Sequence, residues 1–326
     1  MKRRAIVVAS SAWLLGLSVP SFAQAPKVAR RIAVLLPGTE QGHRSVLEAF
    51  RTALKDLGYV EGRDISIEAR LAEGKIDRLG SLAAEVVALN PAVIVTGTSA
   101  ALAAAKRATS RIPIVFATAG SPVEQGFVSS LRRPGGNITG IMLHLGLAAK
   151  IAELAREALP RVQRLAILVH DADHMHKLYL DLFVPSAQRF KFEPVVLRVA
   201  RAEDLDRAFK ELADHKADAL YLPQLAFMVT NRDQLVARSL KARLPLLSHD
   251  HDITVDGGLM SYGSWREENY HRAAALVDKI LRGANPGDLP VEQPERIQLV
   301  VNMKTAKAIG VTLSKVTMLR ADRVIE

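Results

Sequence analysis

Short runs of β-branched residues alternate with amphipathic helical stretches along most of this 326-residue chain, and this alternation limits the possible folds more than any other feature. The run 31–38 is followed by the stretch 43–58, in which Phe50 and Leu54 recur at helical spacing on one face. Three further strand-like runs, each separated from the next by a helical stretch, lie at 64–70, 92–97 and 112–120. Because consecutive parallel strands need crossover helices, the pattern predicts an α/β protein with a parallel sheet covered on both faces.

The alternation begins again after the run 134–143. Strand-like runs, each preceded by a helical stretch, lie at 164–170, 193–199, 218–223 and 244–249. A long helix at 265–282 and a last strand at 296–301 complete the pattern. Aromatic residues make up only 5% of the chain, which suits helices packed on buried parallel strands better than an antiparallel sandwich. The sequence therefore predicts two doubly wound parallel-sheet lobes.

The first 23 residues have the features of an export signal. A basic start at 2–4 precedes an apolar run over 5–19 and a small-x-small cleavage site at 21–23. This segment carries three basic and no acidic residues, so its removal lowers the formal charge from +10 to +7. The chain has no cysteine, which excludes a lipid anchor and disulfides. We expect a cleaved signal peptide at 1–23 and a soluble periplasmic protein that is not lipid-anchored.

Several function classes lack support in the sequence. Basic residues are spread among acidic ones, with no run of Lys and Arg interleaved with aromatic residues, so we expect no nucleic-acid partner. There is no Gly-x-Ser-x-Gly elbow, no Walker loop and no Gly-x-Gly-x-x-Gly after the first strand. We therefore expect no enzymatic activity, no catalytic residue and no cofactor.

Open parallel sheets bind ligands beyond the carboxyl ends of their strands, so the loops at this edge are the candidate binding loops. The loop with Gly97, Thr98 and Ser99 joins a buried strand to an Ala-rich helix. Thr98 or Ser99 can cap that helix, and the free N–H groups and positive dipole end there favour a carboxylate. Two further turns at this edge hold Gly38, Thr39 and Glu40, and Thr118, Gly120 and Ser121. Glu40 could meet a cationic group.

Two loops rich in histidine and aspartate, at 170–176 and 248–252, follow strands of the second half and hold five of the nine histidines. Because the topology puts both loops at one edge, a mixed nitrogen and oxygen metal site is conceivable. The aspartates could instead be turn residues that bond their own backbone, or Asp171, Asp173 or Asp250 could meet a ligand ammonium group. No histidine pair at His-x-x-x-His spacing lies on a clearly predicted helix, and there is no cysteine. A metal-binding protein or metal-dependent enzyme therefore stays the alternative hypothesis, and no metal ligand is assigned.

Four stretches resemble the tryptophan/tyrosine-type family of ABC-transporter substrate-binding proteins. They are LGYVEGRDISIE (57–68), IPIVFATAGSPVEQGFVSSLRRPGGNITG (112–140), GGLMSYG (257–263) and DKILRGANPGDLPVEQPERIQLVVNMKTAKAIG (278–310). The resemblance extends over nearly all of the chain after the signal peptide. It implies a type I periplasmic-binding-protein-like fold, with two lobes joined by a hinge of three crossovers that close on a solute. By this analogy lobe 1 is 27–140 plus 258–290, and lobe 2 is 141–257 plus 291–326.

The resemblance also implies a monomer that captures a small organic solute, an amino acid or related carboxylate, and delivers it to an ABC permease in the inner membrane. Four segments depart from the family pattern, and specificity is expected there: TEQGHRS (39–45), HDADHMH (170–176), PQLAFMVTN (223–231) and SHDHD (248–252). The candidate ligand-binding residues are Gly38, Thr39, Glu40, Gly97, Thr98, Ser99, Thr118, Gly120, Ser121, Asp171, Gln224, Ser248, Asp250 and Tyr262. For an amino acid, Thr98 and Ser99 would hold the carboxylate and an acidic loop residue the ammonium group.

Overall fold

The computed structural model describes residues 29–143, 146–173 and 175–326, so the predicted signal peptide lies outside the described residues. Its first sheet has five parallel strands in the order β2-β1-β3-β4-β5. They are β1 (Arg30–Leu36), β2 (Ile65–Leu71), β3 (Val93–Thr96), β4 (Ile114–Ala119) and β5 (Ile138–Met142).

The second sheet has seven strands in the order β12-β11-β10-β9-β8-β6-β7. They are β6 (Arg164–His170), β7 (Glu193–Val199), β8 (Ala219–Leu222), β9 (Leu246–Ser248), β10 (Met260–Gly263), β11 (Gln298–Asn302) and β12 (Arg323–Ile325). The β10–β11 pair is antiparallel and the other pairs are parallel. The structure thus confirms the predicted fold class of two doubly wound α/β lobes.

Helices cover both sheets. The first sheet packs against α1 (Glu40–Asp56), α2 (Leu79–Ala88), α3 (Ser99–Ala108) and α10 (Arg266–Leu281). The other helices are α4 (Leu147–Ala158), α5 (His176–Arg189), α6 (Leu205–Asp214), α7 (Ala226–Thr230), α8 (Arg232–Lys241), α9 (His251–Val255), α11 (Met303–Ile309) and α12 (Lys315–Arg320). Among the described residues, no helix is both long enough and apolar enough to cross a membrane.

Strand β1 shows why a continuous apolar run marks these strands. Ile32 and Val34 pack on one face with α1 and α10, while Ala33 and Leu35 pack on the other with α2 and α3. All four side chains are fully buried. A parallel strand covered on both faces has no solvent-facing side, so its sequence shows no polar alternation.

Three segments connect the two sheets. The first runs from β5 to α4, the second from β10 to α10, and the third from Glu292 to β11. Glu292 still belongs to the first lobe, because it pairs with Ile141 at the sheet edge. Helix α10 begins at the second lobe and returns to pack on the first sheet. The lobes are therefore joined by three crossovers at one place.

The predicted lobe boundaries differ from the observed sheets in two places. The sequence assigns 258–290 to lobe 1, whereas β10 pairs with β9 and β11 in the second sheet. It also ends lobe 1 at residues 140 and 290, whereas β5 continues to Met142 and Glu292 still pairs beside it. Strand β10 was not predicted because it is four residues long and contains Ser261, so the sequence shows no apolar run at this place.

Candidate functional site

Loops at the carboxyl ends of strands from both sheets enclose a cavity between the lobes, which we name the central cavity. It is lined by Gly97, Thr98, Ser99, Ala100, Thr118, Gly120, Leu143, Asp173, Met175, Tyr179, Gln224, Leu225, Ala226, Val229 and Arg266. The first lobe contributes hydroxyl and backbone groups, and the second contributes a carboxylate and most of the apolar surface. This is the edge at which open parallel sheets bind ligands.

Hydrogen-bond donors gather on the first-lobe side of the central cavity. Thr98 Oγ1 accepts a hydrogen bond from the N–H of Ala101 at 3.3 Å, which confirms the predicted cap of α3. Ser99 Oγ accepts from the N–H of Gly120 at 3.2 Å, so the two predicted loops are tied together. Residue 97 has to be glycine, because an added Cβ would lie 2.4 Å from Tyr270 Oη. The N-terminus of α3 and its hydroxyls together suit a carboxylate.

Asp173 places a buried carboxylate on the second-lobe side. It is only 7% exposed, and its Oδ1 accepts a hydrogen bond from the N–H of Met175 at 2.9 Å. Asp171 points away from the cavity: it pairs with Arg198 at 2.7 Å, and its side chain is 46% exposed. The N–H of Asp171 donates to the carbonyl of Val199 at the sheet edge, and the N–H of Asp173 donates to the carbonyl of His170, so Asp171 lies at the start of the turn and Asp173 at its end. The acidic residue that reaches the cavity is therefore Asp173, and the predicted Asp171 does not.

A buried cluster of charges lies behind the central cavity. Arg266 Nη1 and Arg232 Nη1 both donate to Asp252 Oδ2, at 2.8 and 2.9 Å, and Arg232 also pairs with Asp256 at 2.6 Å. Burial, reinforced by the charge of Asp252, raises the pKa of Asp250 to about 6. Since Arg266 also lines the cavity, it brings a positive charge to the cavity wall, and Asp252 partly neutralises that charge.

Apart from Gln224, the rest of the central cavity is apolar. Leu143, Met175, Leu225, Ala226 and Val229 contribute aliphatic surface. Tyr179 adds an aromatic ring that is almost completely buried. Such a wall excludes water from the charged groups, and electrostatic interactions strengthen in that environment.

A second cavity adjoins the central one, because Val229 lines both. We name it the polar cavity; its lining is Gly38, Thr39, Gln41, Gly42, His43, Val229, Thr230, Arg232 and Asp233. It too lies between the lobes, since the first five residues belong to the first lobe and the last four to the second. The predicted Gly38 and Thr39 therefore lie beside the central cavity and not in its lining.

The predicted site residues divide into two groups. Those that line the central cavity are Gly97, Thr98, Ser99, Thr118, Gly120 and Gln224. Outside that lining, Glu40 is exposed in the first turn of α1, and Ser121 is buried in a turn with φ +40°. The two turns lie at the predicted edge, but their side chains do not face the ligand space.

Three residues of the second lobe that were predicted to bind a ligand instead make contacts within that lobe. Ser248 Oγ donates to the carbonyl of Leu222 at 3.0 Å and accepts from the N–H of Asp250 at 3.0 Å. Asp250 caps α9 by accepting from the N–H of Asp252. Tyr262 packs against the apolar core of the second lobe. All three were predicted to bind a ligand because they lie near strand ends, but their side chains contact the interior of the lobe.

Sequence reasoning missed Tyr179 and Arg266, and it left Asp173 undecided. Tyr179 and Arg266 belong to helices, α5 and α10, and no loop signal marks them. Asp173 follows the same strand as Asp171, so the available signal was the strand end itself. Which of two aspartates faces the cavity depends on the direction of the turn between them.

The described histidines of the two loops have partners within the second lobe. His170 stacks on Phe227 with ring centroids 4.8 Å apart, and the Tyr221 hydroxyl lies 3.2 Å from His249 Nε2. The Nδ1 atom of His251 lies at hydrogen-bonding distance, 2.7 Å, from Oγ of Ser261. Among the described residues, which omit His174, no group of three or more His, Cys, Asp or Glu side chains is placed to hold a metal ion. The structure does not assemble the alternative metal site from these residues.

Three buried histidines should make the folded protein sensitive to acid. Burial lowers the pKa of His43 to about 3, of His249 to about 3 and of His251 to about 4. The unfolded chain therefore binds more protons than the folded one as pH falls through 6.5. Each histidine should cost about 2 kcal/mol of stability between pH 7 and pH 5. Asp250 acts in the opposite sense, because its raised pKa lets the folded state keep a proton, and it restores about 1 kcal/mol.

We expect the melting temperature to fall clearly between pH 7 and pH 5, as measured by thermal unfolding. The variant His43→Leu removes one proton-binding site from the unfolded chain, so its melting temperature should fall by about two fifths less. The exposed His215 provides the control, and His215→Leu should keep the full pH dependence. Equal pH dependence in both variants would show that the His43 ring does not titrate with unfolding.

Comparisons with known proteins identify the family and the fold. Residues 31–325 match a family model described as ABC transporter substrate binding protein. The chain is 26% identical over 262 residues to a Tyrosine-binding protein of Clostridioides difficile (strain R20291), covering 80% of this chain and 75% of that one. The solved structure of an ABC domain in complex with L-Trp, from Streptococcus pneumonia, has a TM-score of 0.84 and 21% identity, over 91% of this chain and 100% of that one.

The leucine-binding protein LivK from Thermotoga maritima has a TM-score of 0.60 and 14% identity, over 78% of this chain and 83% of that one. At such low identity a structural likeness concerns the fold alone. Together with the L-Trp complex, it confirms the predicted type I periplasmic-binding-protein fold.

Proposed function

This chain belongs to the ABC transporter substrate-binding protein family, and from that premise we propose that it captures an amino acid in the central cavity and delivers it to an ABC permease. The role involves no catalytic step. In keeping with the sequence prediction, we place the protein in the periplasm as a monomer, exported by its cleaved signal peptide.

The observation that carries this proposal is the separation of opposite ligand-binding groups across the central cavity. The N-terminus of α3, with Thr98 and Ser99, offers hydrogen-bond donors and the positive end of a helix dipole to a carboxylate. Asp173 offers a buried carboxylate to an ammonium group from the other lobe. A zwitterion satisfies both sides at once, and it does so only when the lobes are together.

The apolar wall narrows the class of amino acid. Leu143, Met175 and Leu225 leave little hydrogen-bonding capacity around the middle of the ligand. The body of the ligand's side chain should therefore be hydrocarbon, either aliphatic or aromatic. The relatives named for tyrosine and solved with L-Trp support an aromatic amino acid.

A ligand screen by thermal unfolding and calorimetry tests this function. The protein is first unfolded and refolded, so that any solute carried through purification is removed. An amino acid present at about 100 times its Kd should then stabilise the folded state by about 2.7 kcal/mol, because it binds only the folded form. Calorimetry should give one site per chain.

Two derivatives of the best amino acid serve as matched controls. The N-acetyl derivative lacks the ammonium charge, and the decarboxylated amine lacks the carboxylate. Both should lose most of the affinity, because each leaves one side of the central cavity unpaired. If none of the twenty amino acids shifts the melting temperature, the proposed ligand class is wrong.

A further inference from the structure

Two residues that line the polar cavity each carry a buried polar atom without a hydrogen-bond partner among the described residues. These atoms are Nε2 of His43 and Oγ1 of Thr230, one from each lobe. The His43 side chain is almost fully buried. Leaving a buried polar group unpaired costs about 1–3 kcal/mol, so native proteins rarely do it without a reason. Two such atoms, on residues that line one cavity, point to a polar group of a ligand.

The hydrogen bonds of His43 define what its free nitrogen can do. The Nδ1 atom lies 3.2 Å from the carbonyl oxygen of Thr39, which can only accept, so Nδ1 carries the ring proton. Burial, reinforced by the charges of Arg266 and Arg232, lowers the pKa of His43 to about 3 and keeps the ring neutral. Nε2 is therefore a bare acceptor. The ring fits closely against Gly38, where an added Cβ would lie 2.6 Å from Cε1.

Thr230 is held in the contact between the lobes by its methyl group. A Cβ added to Gly74 would lie 2.5 Å from Thr230 Cγ2, and one added to Gly38 would lie 3.5 Å from its Oγ1. The methyl group thus packs on the loop after β2, and the hydroxyl lies on the side of the loop after β1. A ligand group between His43 and Thr230 would touch both lobes.

The charged residues around this cavity have partners elsewhere. Arg232 is held by Asp252 and Asp256, and the side chain of Asp233 is 81% exposed. With the charges engaged or solvated, the buried lining groups that lack a partner among the described residues are a neutral acceptor and a hydroxyl. They suit an uncharged hydrogen-bond donor.

We propose that the polar cavity is a subsite for the end of the ligand's side chain, in which His43 Nε2 accepts a hydrogen bond from an O–H or N–H group and the Thr230 hydroxyl is its second partner. This inference rests on the proposed function, because it needs an amino acid in the adjoining central cavity. It assigns the specificity of the site to residues from 39–45 and 223–231, two of the segments that depart from the family pattern. A phenol, indole or hydroxyl group would be selected over a hydrocarbon of the same shape.

The test compares matched pairs of amino acids that differ in one side-chain donor: L-tyrosine with L-phenylalanine, and L-threonine with L-valine. Calorimetry on the wild-type protein should show that the donor-bearing member binds at least about 10-fold more tightly, because its partner leaves His43 and Thr230 unpaired. If neither pair shows this preference, as when water alone fills the cavity, the subsite proposal is overturned.

Thr230→Val is the sharpest variant, because it removes the hydroxyl and keeps the methyl that packs on Gly74. It should reduce the preference for the donor-bearing amino acid, measured as the ratio of the two Kd values, to a few fold. Thr230→Ser, which retains the hydroxyl, should preserve this preference. His43→Leu removes the acceptor and should have the same effect as Thr230→Val. The readout is the ratio of two Kd values for one variant, so a general loss of stability does not mimic the result.

The outcomes separate this proposal from the proposed function. Equal weakening of both members of a pair in Thr230→Val would mean that the residue matters for shape alone, and the subsite would be refuted. Failure of the wild-type protein to bind any amino acid would instead refute the proposed function.

Discussion

Asp173→Asn should weaken amino-acid binding by about 100-fold, or about 2.7 kcal/mol, while the protein remains folded. The central cavity offers this buried carboxylate to the ligand's ammonium group, and bonds between charged groups in such a place are the strong ones. Asparagine keeps an oxygen that can accept from the N–H of Met175, so the local turn should survive. Calorimetry on the wild-type and variant proteins measures the effect.

Asp171→Asn is the matched control for this prediction. The residue lies two positions earlier in the same loop, and its carboxylate pairs with Arg198 on the surface. Exposed ion pairs contribute little, typically about 0–1 kcal/mol, so ligand affinity should not change. If Asp171→Asn weakens binding and Asp173→Asn does not, the loop presents its carboxylates differently from the structure.

Asp252→Asn should destabilise the protein by about 3–5 kcal/mol. One oxygen of Asp252 accepts from both Arg266 and Arg232, and removing its charge leaves two guanidinium groups in the interior without their shared partner. For a chain of this size the melting temperature should fall by about 5–8 °C. Thermal and urea unfolding without ligand measure the loss.

The control for this variant is Asp206→Asn in the same lobe. Asp206 also pairs with an arginine, Arg238, at 2.9 Å, but its side chain is 85% exposed. Its loss should change stability by less than about 0.5 kcal/mol. Equal effects for Asp206 and Asp252 would show that burial does not decide the contribution of these ion pairs.

The buried cluster has a second role in this fold. Arg266 begins α10, which packs on the first lobe, whereas Asp252 belongs to α9 of the second. Their ion pair therefore spans the crossover between β10 and α10.

In Asp252→Asn, the pKa of Asp250 should fall, because a like charge is lost while the two arginines remain. Part of the lost pairing could then return through Asp250, and a titration of the variant measures this shift.

The secondary structure was predicted well wherever a periodic signal existed. Strands β6 and β7 begin and end at the predicted residues. Strands β10 and β12 were missed because they are short and carry no apolar run. Their places in the second sheet depend on strands distant in sequence.

The sequence predicted the sheet edge at which the candidate site lies, but only some of the side chains that line it. The loops around Thr98 and Gly120 line the central cavity as expected, because a strand end and a helix start are local features. Asp250 and Tyr262 follow the same logic, yet one caps α9 and the other packs in the core. A strand end specifies an edge of the sheet, whereas the direction of a side chain depends on what packs beside it.

The sequence by itself determined the α/β class, the two lobes and the sheet edge at which the central cavity lies, because periodicity, helix caps and turn residues act over a few positions. Only the tertiary structure decided that Asp173 and not Asp171 reaches the central cavity, and that Arg266 joins it from a distant helix. It also brought His43 and Thr230, 187 positions apart, to one cavity. Such contacts depend on how two lobes and three crossovers pack together, and no local pattern encodes that packing.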